Sequence, residues 1–153
     1  MPKKRLQVGD RLPSFTLKAQ NGKDFSIDEL LGKRNIVVYF YPKDDTKVCT
    51  AQACGFRDAY EEFKDLGCEV VGISSDNEKS HQKFMANHKL PFILLSDTEK
   101  SVRKLFGVPK DLFGLLPGRY TYIINKEGVI IKIFNSAFSA VGHIAEALKA
   151  LKA

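Results

Sequence analysis

Two cysteines, Cys49 and Cys54, close the run Tyr39-Phe40-Tyr41-Pro42-Lys43-Asp44-Asp45-Thr46-Lys47-Val48-Cys49-Thr50-Ala51-Gln52-Ala53-Cys54. An apolar stretch, a short polar loop and then a cysteine describe a strand that delivers a thiol to the first turn of a helix. The unpaired N–H groups and partial positive charge of such a turn favour a thiolate, so Cys49 has the makings of a nucleophile. If both cysteines ride one helix, they point about 140° apart, with Cα atoms ~8.6 Å from each other. A disulfide needs less than about 7 Å. Joining them therefore requires the first turns of the helix to unwind. Cys49 heads the apolar stripe, whereas Cys54 shares a face with Asp58 and Glu61 and is expected nearer solvent.

Other thiol chemistries fit less well. A thioredoxin-type disulfide reductase uses two intervening residues rather than the four between Cys49 and Cys54. Zinc would draw on Cys49, Cys54, Cys68 and a histidine, but His81 and His88 do not make a metal-type pair at i, i+4 and read as helix-surface residues. No metal or other cofactor is expected. Cys68 reads as a small packing residue. Three cysteines in 153 residues do not make a disulfide framework and point to a compartment where thiols are re-reduced.

The elements that must hold these thiols follow from pattern. Residues 15–17 and 24–26 read as a hairpin around Asn21-Gly22, and 26–32 as a brief helix capped by Ser26 and stopped by Gly32. Ile36 to Phe40 is continuously apolar, as in a strand buried on both faces. A helix is expected from Cys49 to about Asp65, with Cys49, Ala53, Phe56, Tyr60 and Phe63 on one face. Strands at 69–73 and 92–95, and helices at 78–87 and 101–106, come next. A Gly- and Pro-rich loop spans 107–118. Strands at 120–124 and 129–134 flank the turn Asn125-Lys126-Glu127-Gly128, and a last helix carries Val141, Ile144, Leu148 and Leu151 as its stripe. This order is that of a thioredoxin-like α/β three-layer sandwich with a central mixed sheet, an N-terminal β-hairpin extension and one domain over residues 1–153.

Composition narrows the function further. A net charge of +6 arises from 24 basic residues interleaved with 18 acids, without the clustered stripe of a nucleic-acid binder. No stretch has the roughly 18–20 apolar residues of a membrane span. Residues Met1 to Leu6 are basic but lack the apolar core of a secretory signal, so cytoplasm is the simplest location.

Taken together, the residues resemble a peroxiredoxin. Pro42, Thr46 and Cys49 stand as Pro-x-x-x-Thr-x-x-Cys, that family's peroxidatic motif. The added Cys54 is similar to the peroxiredoxin Q, or bacterioferritin comigratory protein, subgroup. The resemblance runs through Val8-Gly9-Asp10, Pro13-x-Phe15, Phe40-Tyr41-Pro42, Gly72-Ile73-Ser74, Pro117-Gly118-Arg119 and the closing helix. Lys47 departs from it, standing where the subgroup often has proline. The resemblance implies that Cys49 is the peroxidatic nucleophile, Thr46 a hydroxyl partner, Pro42 a pocket wall and Arg119 the cation beside the sulfur. It implies a thiol peroxidase acting on hydrogen peroxide and organic hydroperoxides. Its Cys49 sulfenic acid would condense with Cys54, and thioredoxin or a similar dithiol would reduce the disulfide. A monomer is expected, since an internal resolving cysteine needs no second chain. A plastid location is the alternative to cytoplasm, because the subgroup occurs there. The competing readings are a redox-switched binding module, with the apolar Leu112-Phe113-x-Leu115-Leu116 loop as its surface, and a thioredoxin-like disulfide reductase.

Overall fold

The computed structural model describes residues 5–108, 110–111, 116–117, 119–136 and 139–153. In chain order its elements are β1 (Thr16–Ala19), β2 (Asp24–Ser26), a 3-10 turn (Ile27–Glu29), β3 (Asn35–Phe40), α1 (Lys47–Asp58) and α2 (Tyr60–Asp65). There follow β4 (Cys68–Ser74), α3 (Glu78–His88), β5 (Ile93–Ser96), α4 (Ser101–Phe106), β6 (Lys110–Asp111), β7 (Leu116–Pro117), β8 (Tyr120–Ile124), β9 (Ile130–Asn135) and α5 (Ala140–Lys152). Seven strands form one sheet in the order β2-β1-β5-β4-β3-β8-β9, while β6 and β7 pair separately. β3, β4 and β5 run parallel, and the β1–β2 hairpin and the β8–β9 hairpin close the two edges antiparallel. The expected hairpin extension is therefore stitched into the sheet, through Lys18 and Ala19 against Ser96 and Leu95.

From Ile36 onward β3 is apolar because both faces of the sheet are covered, and its side chains alternate between two cores. Ile36, Val38 and Phe40 join Val71, Ile73, Tyr122, Ile27, Val102 and Phe106 on the face covered by α4 and the N-terminal segment. Val37 and Tyr39 join Cys49, Ala53, Phe56, Phe63, Phe84 and Ala147 beneath α1, α2, α3 and α5. Tyr39 stacks on Phe56 at 4.7 Å between ring centres and on Tyr41 at 5.4 Å. Its ring lies so close to β4 that a Cβ at Gly72 would come within 2.8 Å of it, so only glycine fits there. The result is the three-layer thioredoxin-like α/β arrangement.

Several expectations are corrected in detail. The brief helix over 26–32 is a three-residue 3-10 turn, capped by Ser26 in a capping box. The long helix starts at Lys47 rather than Cys49 and divides at Ala59, although the stripe through Tyr60 and Phe63 continues across the break. Val141 is not part of the α5 stripe: it is 78% exposed, and His143 and Ala147 are buried in its stead. His81 is not a surface residue but fully buried, because it has polar partners inside the fold. Half of the expected 107–118 loop, including Leu112, Phe113, Leu115 and Gly118, lies outside the described residues.

Candidate active site

The site forms where β3 ends. The carboxyl ends of parallel strands are where an open α/β sheet leaves a crevice, and the loop 42–46 turns there into α1. Thr46 is the N-cap residue, which places Cys49 in the first turn. Cys49 is 1% exposed and Arg119, entering β8 from the opposite side, is 4% exposed. Arg119 donates from Nη2 to Cys49 Sγ at 3.2 Å and from Nη1 to Gln52 Oε1 at 2.7 Å. A guanidinium is always charged and offers donors in a fixed plane, so one side chain can hold the sulfur and a second group at once.

Gln52 was not singled out from sequence. It lies one turn beyond Cys49 and is fully buried, holding the guanidinium against the sulfur. Its position at i+3 from the cysteine is the signal that could have found it.

Thr46 does not cap α1 with its side chain. Its hydroxyl donates to the Lys43 carbonyl at 2.9 Å, which leaves the oxygen's lone pairs for a donor from outside. Pro42 is half-buried at the start of the loop. Lys47 is exposed, and the first turn of α1 holds no acidic residue. With neither a side-chain cap nor an acid to complement the helix dipole, this turn is weakly secured.

Cys54 lies on the same helix as Cys49, half-buried, and all three cysteines are free. Ideal helical geometry keeps the pair ~8.6 Å apart, too far to bond without unwinding. Gly55, next to Cys54, packs against α5: a Cβ there would stand 2.8 Å from Ile144 Cδ1. Cys68 is remote in kind as well as place. It opens β4, and burial, with the Glu69 carboxylate adding to it, pushes its thiol up to about 12.

A second buried polar cluster backs Arg119. His143 Nε2 donates to the Ser136 carbonyl at 2.9 Å, so Nδ1 accepts from the Thr121 hydroxyl at 2.7 Å. Burial pushes His143 down to about 4, with the Arg119 charge acting in the same direction against the Ser136 hydrogen bond. Among the described residues, no group of three or more His, Cys, Asp or Glu side chains is disposed to hold a metal ion. Among the same residues, no helix is long and apolar enough to cross a membrane.

The pattern of the AhpC/TSA family matches residues 8–133. A chloroplastic peroxiredoxin Q of Populus jackii is 53% identical over 148 residues, covering 97% of this chain and 69% of the relative. The crystal structure of the peroxidoxin BcpB of Mycobacterium tuberculosis superposes with a TM-score of 0.88 at 33% identity, covering 97% of each chain. A Xanthomonas campestris bacterioferritin comigratory protein, studied for alkyl peroxide reduction, is 29% identical with a TM-score of 0.81 over 90% of each chain. The chain thus belongs to the AhpC/TSA family, and within it to the peroxiredoxin Q thiol peroxidases.

Proposed function

We propose that Cys49 is the peroxidatic sulfur and Cys54 its resolving partner. The Cys49 thiolate attacks one oxygen of a hydroperoxide, the O–O bond breaks, and the other oxygen leaves as water or alcohol after taking a proton. Sulfur is oxidised to sulfenic acid as the peroxide is reduced. The Arg119 guanidinium, already on Sγ, stabilises the negative charge as it passes from sulfur to the leaving oxygen. The Thr46 hydroxyl, whose hydrogen is committed to Lys43, accepts from the peroxide, and Pro42 walls the pocket without offering an N–H.

The weakly secured first turn of α1 then unwinds. The Cys54 thiol displaces water from the sulfenic acid, and the resulting disulfide is reduced by thioredoxin or a similar dithiol through a mixed disulfide. The substrates proposed are hydrogen peroxide and organic hydroperoxides, alkyl peroxide reduction being the activity named for the Xanthomonas relative. One chain suffices for the cycle, so the unit proposed is a monomer. The chloroplastic names of the relatives favour a plastid over the cytoplasm as its location.

The observation that carries this reading is the 3.2 Å contact between Arg119 and Cys49 inside a buried site. The test is peptide mass mapping after one equivalent of peroxide. A Cys49–Cys54 bridge is expected, replaced in Cys54→Ser by sulfenic acid on Cys49. A bridge involving Cys68, or an unmodified Cys49, refutes the assignment.

A further inference from the structure

The loop that delivers Cys49 is anchored from a direction the peroxidatic motif does not reach. Asp44, two residues before Thr46, turns inward, and its side chain is 2% exposed against a fully buried His81. Asp44 Oδ1 accepts from the Tyr41 hydroxyl at 2.6 Å. Oδ2 accepts from Ser80 Oγ at 2.7 Å and lies 2.7 Å from His81 Nδ1. The far nitrogen of the ring, Nε2, faces the Leu95 carbonyl at 3.0 Å. A carbonyl only accepts, so Nε2 carries a hydrogen. At 2.7 Å a hydrogen must also lie between Nδ1 and Oδ2, or two lone pairs would face each other. Wherever that hydrogen sits, His81 and Asp44 are neutral as a unit.

The surroundings fix the same segment a second time. The Asp44 N–H donates to Asp76 Oδ2 at 2.7 Å, and Asp76 is in turn held by the Ser74 hydroxyl. Asp45, next along, has a left-handed φ of 61° and meets His88 Nε2 at 3.2 Å. Two consecutive aspartates thus engage two histidines that stand seven residues apart on α3. Buried polar groups with every partner in place specify one arrangement of the chain.

We propose that Asp44 and His81 are positioning residues for the peroxide step. Their buried clasp fixes the loop at its near side, and through the short link to Thr46 it sets where the first turn of α1 presents its sulfur. This rests on Cys49 being the peroxidatic residue. Reacting groups misplaced by about 1 Å lose up to 10²-fold in rate, so a slackened loop is costly.

The experiment reads sulfenic acid formation on Cys49, trapped with dimedone after rapid mixing with hydrogen peroxide, in a Cys54→Ser background that isolates the first step. His81→Gln keeps a donor where Nε2 stood and loses the bond to Asp44. His81→Asn keeps a donor where Nδ1 stood and loses the bond to Leu95. The expected result is a loss of about tenfold in His81→Gln and recovery of most of the rate in His81→Asn. An unchanged rate in His81→Gln, or equal losses in both, overturns the proposal.

The unaltered reduced protein gives a second readout should His81→Gln fail to fold. The hydrogen between His81 and Asp44 is expected as a slowly exchanging imidazole N–H signal in NMR, and rapid exchange with solvent overturns the clasp. Cys49→Ser run alongside separates the two readings. Sulfenic acid persisting there removes Cys49 itself, whereas its disappearance with a normal His81→Gln removes only the clasp.

Discussion

Cys49 and Cys68 belong to the same apolar layer, and both are almost wholly removed from water. They stand at opposite ends of the parallel strands, Cys49 beyond the carboxyl end of β3 and Cys68 at the first residue of β4. At the carboxyl end a helix begins, a guanidinium arrives from β8, and Gln52, Thr46 and the Asp44 loop converge. At the other end the thiol meets the Glu69 carbonyl as a long acceptor, at 3.5 Å, and the Val37 backbone, with apolar packing around it and no charged donor among the described residues. Burial is common to both and explains neither. What sets the proposed nucleophile apart is the charged donor aimed at its sulfur.

The largest effect should come from removing the donor. Arg119→Ala is expected to slow sulfenic acid formation on Cys49 by about 10²–10³-fold, the usual loss for one preorganised donor at a site of developing charge. Rapid-mixing assays in the Cys54→Ser background measure it directly. An unchanged rate would erase the contrast between the two cysteines.

The same end of the molecule should be the more sensitive to acid. His143 is held to about 4 in the folded chain against an ordinary value of 6.5. A folded-state value below the unfolded one means that the unfolded chain takes up the proton first. The stability is therefore complete above pH 6.5 and declines as pH falls toward 4, by roughly 3 kcal/mol in all. Urea unfolding across that range should show the decline, and His143→Gln should flatten it.

The smallest effect sharpens the comparison from the other side. Cys68→Ala should leave peroxide turnover unchanged and cost about 1 kcal/mol of stability, the loss expected for one small buried group. With its thiol pushed up to about 12, Cys68 should also resist iodoacetamide in the folded protein at mildly alkaline pH, while becoming reactive in urea.

Much of this architecture was legible in the residues. β3 announced itself because a strand covered on both faces reads as a continuous apolar run, here Ile36 to Phe40. The position of Cys49 followed from a strand, a loop and a helix start in immediate succession. The break at Ala59 was not legible, because the apolar stripe keeps its period across it. Nor was the interior place of His81: a histidine on a helix looks like surface until the chain supplies a carboxylate and a carbonyl, here from Asp44 and Leu95, distant in sequence. Val141 misled in the opposite sense, since an apolar residue at helical spacing can still fall in a first turn that overhangs its neighbours. Local pattern reports which face a residue takes; it does not report who arrives from elsewhere in the chain.

The tight seat of Gly55 on Ile144 gives the helix an end-stop. Gly55 is seated on α5, whereas Thr46 and Lys47 at the head of the helix are exposed, and Cys49, Gln52 and Ala53 in between are held by apolar packing and by Arg119. Unwinding from that exposed end as far as Cys54, as the proposed cycle requires, would break those contacts and leave the seat on α5 in place, like a zip opened down to its stop. Each oxidation would then be a local event with a built-in memory of the starting shape, and recovery after reduction would need the re-formation of little more than two helical turns.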